Sequence, residues 1–149
     1  MSMTKPLVSF TIKTVPQPQL RPRIASFGGH PHLYDPQSTR DFKRIVSTLA
    51  SAEMGKTEPI DGPLKVALTF YRPVQQSLSK REFDRRAVGD ELPVVKPDVS
   101  NYLKATEDAL NGVVWEDDRT ITTEIIKKRY STVPRIALKV WRDVADGDC

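Results

Sequence analysis

Residues 96–121, KPDVSNYLKATEDALNGVVWEDDRTI, decide the fold of this chain. Apolar residues recur at helical spacing from position 99 to position 110, and Asp98 stands where a helix N-cap belongs. Asn111 and Gly112 then supply a helix stop, and the acids at positions 116–118 precede a β-branched run. The stretch therefore predicts a helix over 99–110 with acidic residues at both of its ends.

The charged side chains of this stretch suit a metal site. Asp98 begins the helix, Asn101 and Lys104 follow on it, and Asp117 and Asp118 belong to a separate element. Carboxylates from two elements, with a lysine between them, can hold an oxygen-ligated Mg²⁺ against a phosphate. Simpler explanations exist for each residue, because aspartates often cap helices, acidic pairs are common in turns and most helix lysines only face solvent. The ordered set as a whole favours the metal site.

Strands, loops and one more helix are predicted on either side of this stretch. The predicted strands are 7–15, 64–71, 119–130 and 134–142, and a helix over 39–54 is opened by a capping box at Ser38 and Asp41 and stopped at Gly55. Two segments, 16–36 and 73–95, are predicted as long loops, the second with at most a short helical turn. Trp115 and Trp141 are expected in the core. The order predicts one α+β (mixed α/β) domain over 1–149, with a mixed sheet of about four strands, two helices packed on it and a polar tail from about residue 143.

The composition excludes several classes of protein. Of the 149 residues, 38% are hydrophobic and 28% are charged, as in an ordinary soluble domain. No run approaches the roughly 20 apolar residues of a membrane span, and the N-terminus lacks the apolar core of a signal peptide. The single cysteine, Cys149, leaves no disulfide framework and no cysteine-based zinc site. We therefore expect a cytoplasmic protein with no membrane partner and no small-molecule cofactor.

Positive charge lies away from the acidic stretch. The formal net charge is +4, and no acid precedes Asp35, whereas ten acids accompany nine basic residues from Lys96 onward. Basic residues of the two predicted loops suit a nucleic-acid backbone, although a solvated basic surface is the simpler alternative. These residues are Arg21, Arg23, Lys80, Arg81, Arg85 and Arg86. Aromatic residues interleave with the first two and can stack on bases, whereas His30 and His32 have no obvious third metal ligand and are assigned a loop role.

The stretch 96–121 resembles the core signature of the RusA-type Holliday-junction resolvases, especially those of phages and prophages. That signature has the form KPDxDN, a helix with a lysine, DALNG, and an apolar-aromatic step before DD. This chain has KPDVSN, Lys104, DALNG, VVW and the pair Asp117–Asp118. A first strand, the proline- and arginine-rich PQPQLRPRIAS, a Tyr-Asp-Pro step and a helix extend the resemblance from about Val8 to Trp141.

The resemblance implies a homodimeric endodeoxyribonuclease of DNA recombination and repair. Such an enzyme binds four-way (Holliday) DNA junctions and uses Mg²⁺, or Mn²⁺ in its place, as its metal ion. It cuts two opposing strands and leaves 5′-phosphate and 3′-hydroxyl ends. By position, Asp98 matches the first catalytic aspartate, Asp118 the distal one, Lys104 the catalytic lysine and Asn101 the motif asparagine. Asp98 and Asp118, with the neighbouring Asp117, are then the expected metal ligands.

Ser100 departs from the signature, which usually has a second aspartate at this position. Serine is a neutral and weaker ligand for a hard cation. Asp117 could take a direct ligand role, Ser100 could hold a bridging water, or the protein could bind junctions and cut them poorly. A catalytically weak or inactive branched-nucleic-acid-binding protein is therefore the main alternative. A metal-dependent phosphatase for small substrates is a more remote one, because such a substrate needs no extended basic surface.

Overall fold

The computed structural model of the protein describes residues 5–75 and 78–147, so the prediction on Cys149 lies outside the described residues. Within them, the chain forms three helices, a four-stranded mixed sheet and a separate two-stranded sheet, which confirms the α+β class. The strands are β1 (Val8–Ile12), β2 (Arg23–Phe27), β3 (His30–Tyr34), β4 (Leu64–Pro73), β5 (Ile121–Ser131) and β6 (Arg135–Arg142). The helices are α1 (Gln37–Met54), α2 (Lys80–Ala87) and α3 (Val99–Leu110). In the same described ranges, no helix has the length and apolar character needed to cross a membrane.

The main sheet has the order β1-β6-β4-β5, with β4 in an inner position. β4 pairs antiparallel with β6 and parallel with β5, so Leu68 lies opposite Leu138 on one side and Ile126 on the other. Buried and half-buried residues alternate along β4, because successive side chains of a strand point to opposite faces. One face of the sheet is therefore core.

Helices α1 and α3 pack on that face. Each buries residues at intervals of three or four, which form one stripe of a helix. The buried stripes are Thr39, Phe42, Val46, Ala50 and Met54 on α1, and Tyr102, Ala105, Thr106, Ala109 and Leu110 on α3. Tyr102 stacks on Phe70 of β4 with ring centroids 5.4 Å apart, and Trp115 is fully buried in the same core, as predicted. This packing fixes the direction of α3 against the sheet.

Two local predictions are wrong. Helix α1 begins at Gln37 with Pro36 as its N-cap and with no side-chain cap bond, so Ser38 lies in the first turn and forms no capping box. Proline fixes φ near its helical value, which lets the chain enter the helix directly after it. Trp141 is only half-buried, with the Lys65 ammonium 5.7 Å from its ring centroid, because β6 turns this residue away from the core face. The predicted stop at Gly55, whose φ is 57°, is confirmed.

Both predicted loops contain regular structure. β2 and β3 form a hairpin inside the segment 16–36, joined at Gly28 and Gly29, which both have positive φ. The segment 73–95 contains the eight-residue helix α2, whose N-cap Ser79 accepts a hydrogen bond from the Glu82 backbone N–H at 3.3 Å. Neither element buries a hydrophobic stripe, which is why hydrophobic periodicity did not predict them.

Candidate functional site

Asp98 is the N-cap of α3, as predicted, but its carboxylate makes no capping hydrogen bond. The side chain is exposed at the start of the helix. The most common structural use of an aspartate at this position is therefore missing here. Its carboxylate faces solvent at a fixed point of the fold.

Two cations from the neighbouring strands hold the backbone that leads into Asp98. Lys128 of β5 donates through Nζ to the carbonyl oxygens of residues 95 and 97, at 2.9 and 3.0 Å. Arg72 of β4 donates through Nη1 to the carbonyl of the residue between them, at 2.8 Å. Three consecutive carbonyls are thus tied to the sheet immediately before Asp98. We infer that Lys128 and Arg72 position this aspartate.

A cleft of about 350 Å³ opens beside Asp98, between the segment 18–20 and the start of α3. Gln19 forms one wall, and its backbone N–H donates to the Asn101 carbonyl at 2.9 Å. The Gln19 side chain donates to Asp35 at 3.0 Å and to the Leu20 carbonyl at 3.0 Å. The exposed Asn101 also lines the cleft. The surroundings of Asp98 are therefore ordered by hydrogen bonds on both sides.

Lys104 lies six residues along α3 from Asp98, which is about 1.7 turns, and its side chain is exposed. The carboxylate of Asp35 is held by Lys43 at 2.8 Å, and Lys43 also reaches Asp108 at 3.2 Å. The hydrogen bond from Lys43 lowers the pKa of Asp35, and the positive charge of Lys104 adds to that shift. Asp108 is thus occupied in a structural ion pair, whereas the ammonium of Lys104 remains at the surface.

Asp118 lies just beyond the opposite end of α3, in the 3₁₀ turn Asp118–Thr120. Trp115 donates from its indole N–H to Asn111 Oδ1 at 2.8 Å, which turns the amide nitrogen of Asn111 towards Asp118 Oδ2, 3.5 Å away. Burial and the adjacent carboxyl of Asp117 raise the pKa of Asp118. Asp117 accepts a hydrogen bond from the Arg119 backbone N–H at 3.0 Å, which lowers the pKa of Asp117.

Two further carboxylates, which sequence reasoning missed, lie near the same end of α3 as Asp118. Burial, together with the neighbouring carboxyls of Glu124, Asp118 and Asp108, raises the pKa of Glu107 on α3 to about 9. Glu124 comes from β5, the strand beside α3. Helical spacing could have identified Glu107, since it follows Ser100 and Lys104 by seven and three residues. Glu124 gave no such signal, because only the register of β5 brings it here.

Asp98 and Asp118 lie at opposite ends of α3. The twelve residues of this helix rise about 18 Å. β5 runs back along the helix, and the path from Ile121, next to Asp118, to Lys128, beneath Asp98, spans about 23 Å. Ligands of a two-metal centre with ions about 4 Å apart lie within about 8 Å of one another. One chain therefore does not supply both aspartates to one metal centre.

The ligand chemistry suits Mg²⁺, although the set in one chain is incomplete. The candidate ligands at both ends of α3 are carboxylate oxygens, which are the donors that Mg²⁺ prefers. Among residues 5–75 and 78–147, however, no three acidic or histidine side chains come together as a metal-binding group. A complete set of ligands would need a second source of carboxylates at each end.

Most of the predicted basic residues are exposed. Arg21 and Arg23 lie at the start of the β2–β3 hairpin, and Lys80, Arg81 and Arg85 lie on the outer side of α2. Arg86 differs, because it donates to both carboxylate oxygens of Glu91, at 3.1 and 3.3 Å, and lies 4.8 Å from the Tyr130 ring centroid. Arg86 therefore docks α2 against β5 and is less available to a nucleic acid than the other five.

The comparisons with known proteins agree with the signature in α3. Residues 13–141 match the family described as endodeoxyribonuclease RusA. The chain belongs to the RusA endodeoxyribonuclease family. An uncharacterized protein of Bacillus subtilis (strain 168), YqaN, is 34% identical over 135 residues, which cover 89% of this chain and 94% of the relative. The RusA match includes α3, both acidic ends and the β2–β3 hairpin, and nuclease action on branched DNA is the activity that this family implies.

Proposed function

We propose that this RusA-family protein is a metal-dependent endonuclease that resolves four-way DNA junctions by paired cuts, leaving 5′-phosphate and 3′-hydroxyl ends. The observation that carries the proposal is the unused, exposed carboxylate of Asp98, held in place at the start of the helix that also carries the exposed ammonium of Lys104. A carboxylate that only stabilised the fold would be capped or paired. DNA recombination and repair, in a bacterium or a phage-infected cell, is the process in which such cuts are used.

A homodimer would complete the site. A second copy, related by a two-fold axis across the exposed side of α3, would run its own α3 antiparallel to the first. That arrangement would bring the carboxylates near the partner's Asp118 close to Asp98 of this chain. At the other end of the helix pair, Asp118 of this chain would lie close to the partner's Asp98. The two sites would be related by the same two-fold axis as the two strands of a junction, which supports paired cutting. The length of α3 supports this dimer, because one chain alone cannot join the two aspartates.

Within such a site the residues of this chain have separate roles. Asp98, with Asp118 and Asp117 of the other copy, would hold Mg²⁺ or Mn²⁺, which supplies Lewis-acid activation of the phosphodiester and of the attacking water. Lys104 would contact the scissile phosphate and stabilise the charge that develops on it. Asn101 would orient the substrate or a ligand from the rim of the cleft. Ser100 leaves the motif short of one carboxylate, and the acidic group at the far end of α3 offers a replacement.

The test is cleavage of an end-labelled four-way junction and of a linear duplex with the same sequences, with Mg²⁺, with Mn²⁺ and with EDTA. We expect symmetrical cuts in the junction, none in the duplex and none with EDTA. Asp98→Asn and Asp118→Asn should each abolish cutting and keep junction binding, since each removes a negative charge near phosphate. Tight junction binding without cuts in either metal would instead support a branched-DNA-binding protein that has lost activity at Ser100.

A further inference from the structure

The β2–β3 hairpin is anchored at the same end of α3 as Asp98. Its first strand follows Gln19, whose backbone N–H donates to the Asn101 carbonyl. Its second strand ends directly before Asp35, which accepts hydrogen bonds from the side chains of Gln19 and Lys43. The two legs of the hairpin are therefore joined to each other and to α3. Wherever the hairpin extends, it starts beside the candidate catalytic aspartate.

The two faces of the hairpin differ in chemistry. Ile24 lies directly opposite Leu33, so these two side chains share one face, while Arg23 and His32 lie on the other. Ile24 is 71% exposed and Leu33 is 74% exposed. Two neighbouring aliphatic side chains of this exposure are unusual on a hairpin that pairs with no other strand of the described chain. We call Ile24 and Leu33 the aliphatic pair.

The surrounding charge identifies the partner of this pair as DNA. The sequence has no carboxylate before Asp35, and Arg21 and Arg23 precede and begin the hairpin. A surface of this kind attracts phosphates, and apolar side chains beside it can pack on the faces of unstacked bases. Base faces are covered inside a duplex and become accessible at a branch point. The path from Leu20, at the cleft beside Asp98, to Ile24 spans about 13 Å, which is only a few nucleotides.

We propose that the aliphatic pair inserts against the unstacked bases at the centre of a four-way junction, and so holds the branch point next to the cut site. This inference rests on the proposed nuclease function and adds the structural basis of junction selectivity. Arg21 and Arg23 hold the flanking phosphates, and the aliphatic pair distinguishes a branch point from a duplex. The hairpin is thus a specificity element outside the metal site.

The double variant Ile24→Ser/Leu33→Ser tests the proposal, since both side chains are exposed and their loss leaves the core intact. Binding is measured with a four-way junction and with a linear duplex, and 2-aminopurine at the branch point reports unstacking by its fluorescence. We expect junction affinity to fall about tenfold, duplex affinity to stay within about twofold, and the fluorescence rise of the wild type to disappear. The control Leu7→Ser/Val133→Ser removes two aliphatic side chains, 50% and 63% exposed, away from the hairpin and should behave like the wild type.

The possible failures are distinguishable. Wild-type protein that neither prefers nor cuts junctions would contradict the proposed function itself. Unchanged junction preference and fluorescence in the hairpin variant, with wild-type cutting intact, would overturn only the role of the aliphatic pair. Sedimentation velocity tests whether the aliphatic pair instead contacts a second copy of the chain. A shift of the hairpin variant from dimer to monomer would show such a contact and would overturn the proposed contact with DNA.

Discussion

Replacing Lys128 by methionine should disable cutting while leaving DNA binding almost intact. The substitution keeps the aliphatic stem but removes the two charge-assisted hydrogen bonds, at 2.9 and 3.0 Å, that hold the carbonyls before Asp98. Each such bond contributes about 1.5 kcal/mol or more, and partial exposure of Lys128 reduces their sum to about 2 kcal/mol. Once released, the Asp98 backbone needs to move only about 1 Å to lower the rate about a hundredfold.

The assay is single-turnover cleavage of a labelled four-way junction, with binding measured separately in EDTA. Lys127→Met is the matched control, because it removes the same charge from the adjacent, exposed position of β5. We expect the single-turnover rate constant to fall about a hundredfold in Lys128→Met, to recover substantially in Lys128→Arg, and to stay within about threefold in Lys127→Met. Equal rates for Lys128→Met and Lys127→Met would refute the positioning role. Equal losses of binding in both would show that charge, and not the position of Asp98, is what matters.

Three further predictions concern charge. The Glu107 pKa of about 9 means that the native state keeps a proton which the unfolded state releases near pH 4.5. The Glu107 carboxyl therefore lowers the stability of the fold increasingly as the pH rises from 4.5 to about 9. In EDTA, Glu107→Gln should therefore raise the free energy of unfolding at pH 8 by about 1 kcal/mol, a figure already reduced for partial solvent screening. The same variant should give no gain in stability at pH 4. Urea titrations at both pH values measure these gains, and equal gains would contradict the prediction. The triple variant Lys80→Gln/Arg81→Gln/Arg85→Gln removes three positive charges from α2. It should make the slope of log Kd against log salt shallower by about 2 to 3 for junction DNA. An unchanged slope in fluorescence-anisotropy titrations would show that α2 does not contact the DNA. If the missing carboxylate limits activity, Ser100→Asp should increase the cutting rate and lower the Mg²⁺ concentration required for cutting. A fall in both the cutting rate and the Mg²⁺ affinity would show that the site has adapted to serine.

The sequence predicted elements that have a hydrophobic stripe and missed those that lack one. α3 was predicted over its full length because its apolar residues recur at helical spacing between Asp98 and Asn111. The β2–β3 hairpin is exposed along β3 and along most of β2, so neither strand shows the alternation by which strands are recognised. The same reason explains α2, which buries no residue.

The sequence motif nominates the residues of the candidate site but does not give their layout. Asp98, Lys104 and Asp118 are found by motif alone, and a helix of twelve residues already implies that the two aspartates are far apart. The positioning role of Lys128 could not be predicted, because its partners are backbone carbonyls, which carry no sequence signal. The neighbours of Asp118 were equally hidden, since the register of β5 against β4 decides that Glu124 reaches α3.

The most direct test of a site shared between two chains is a mixed dimer of Asp98→Asn and Asp118→Asn. The two variants carry different affinity tags, are expressed together and are purified through both tags in turn. If each site takes Asp98 from one chain and Asp118 from the other, the mixed dimer keeps one intact site and loses the second. We predict that each variant alone is inert and that the mixed dimer nicks one strand of a four-way junction in Mg²⁺. A mixed dimer as inert as its parents, beside an active wild type prepared in the same way, would contradict the shared site.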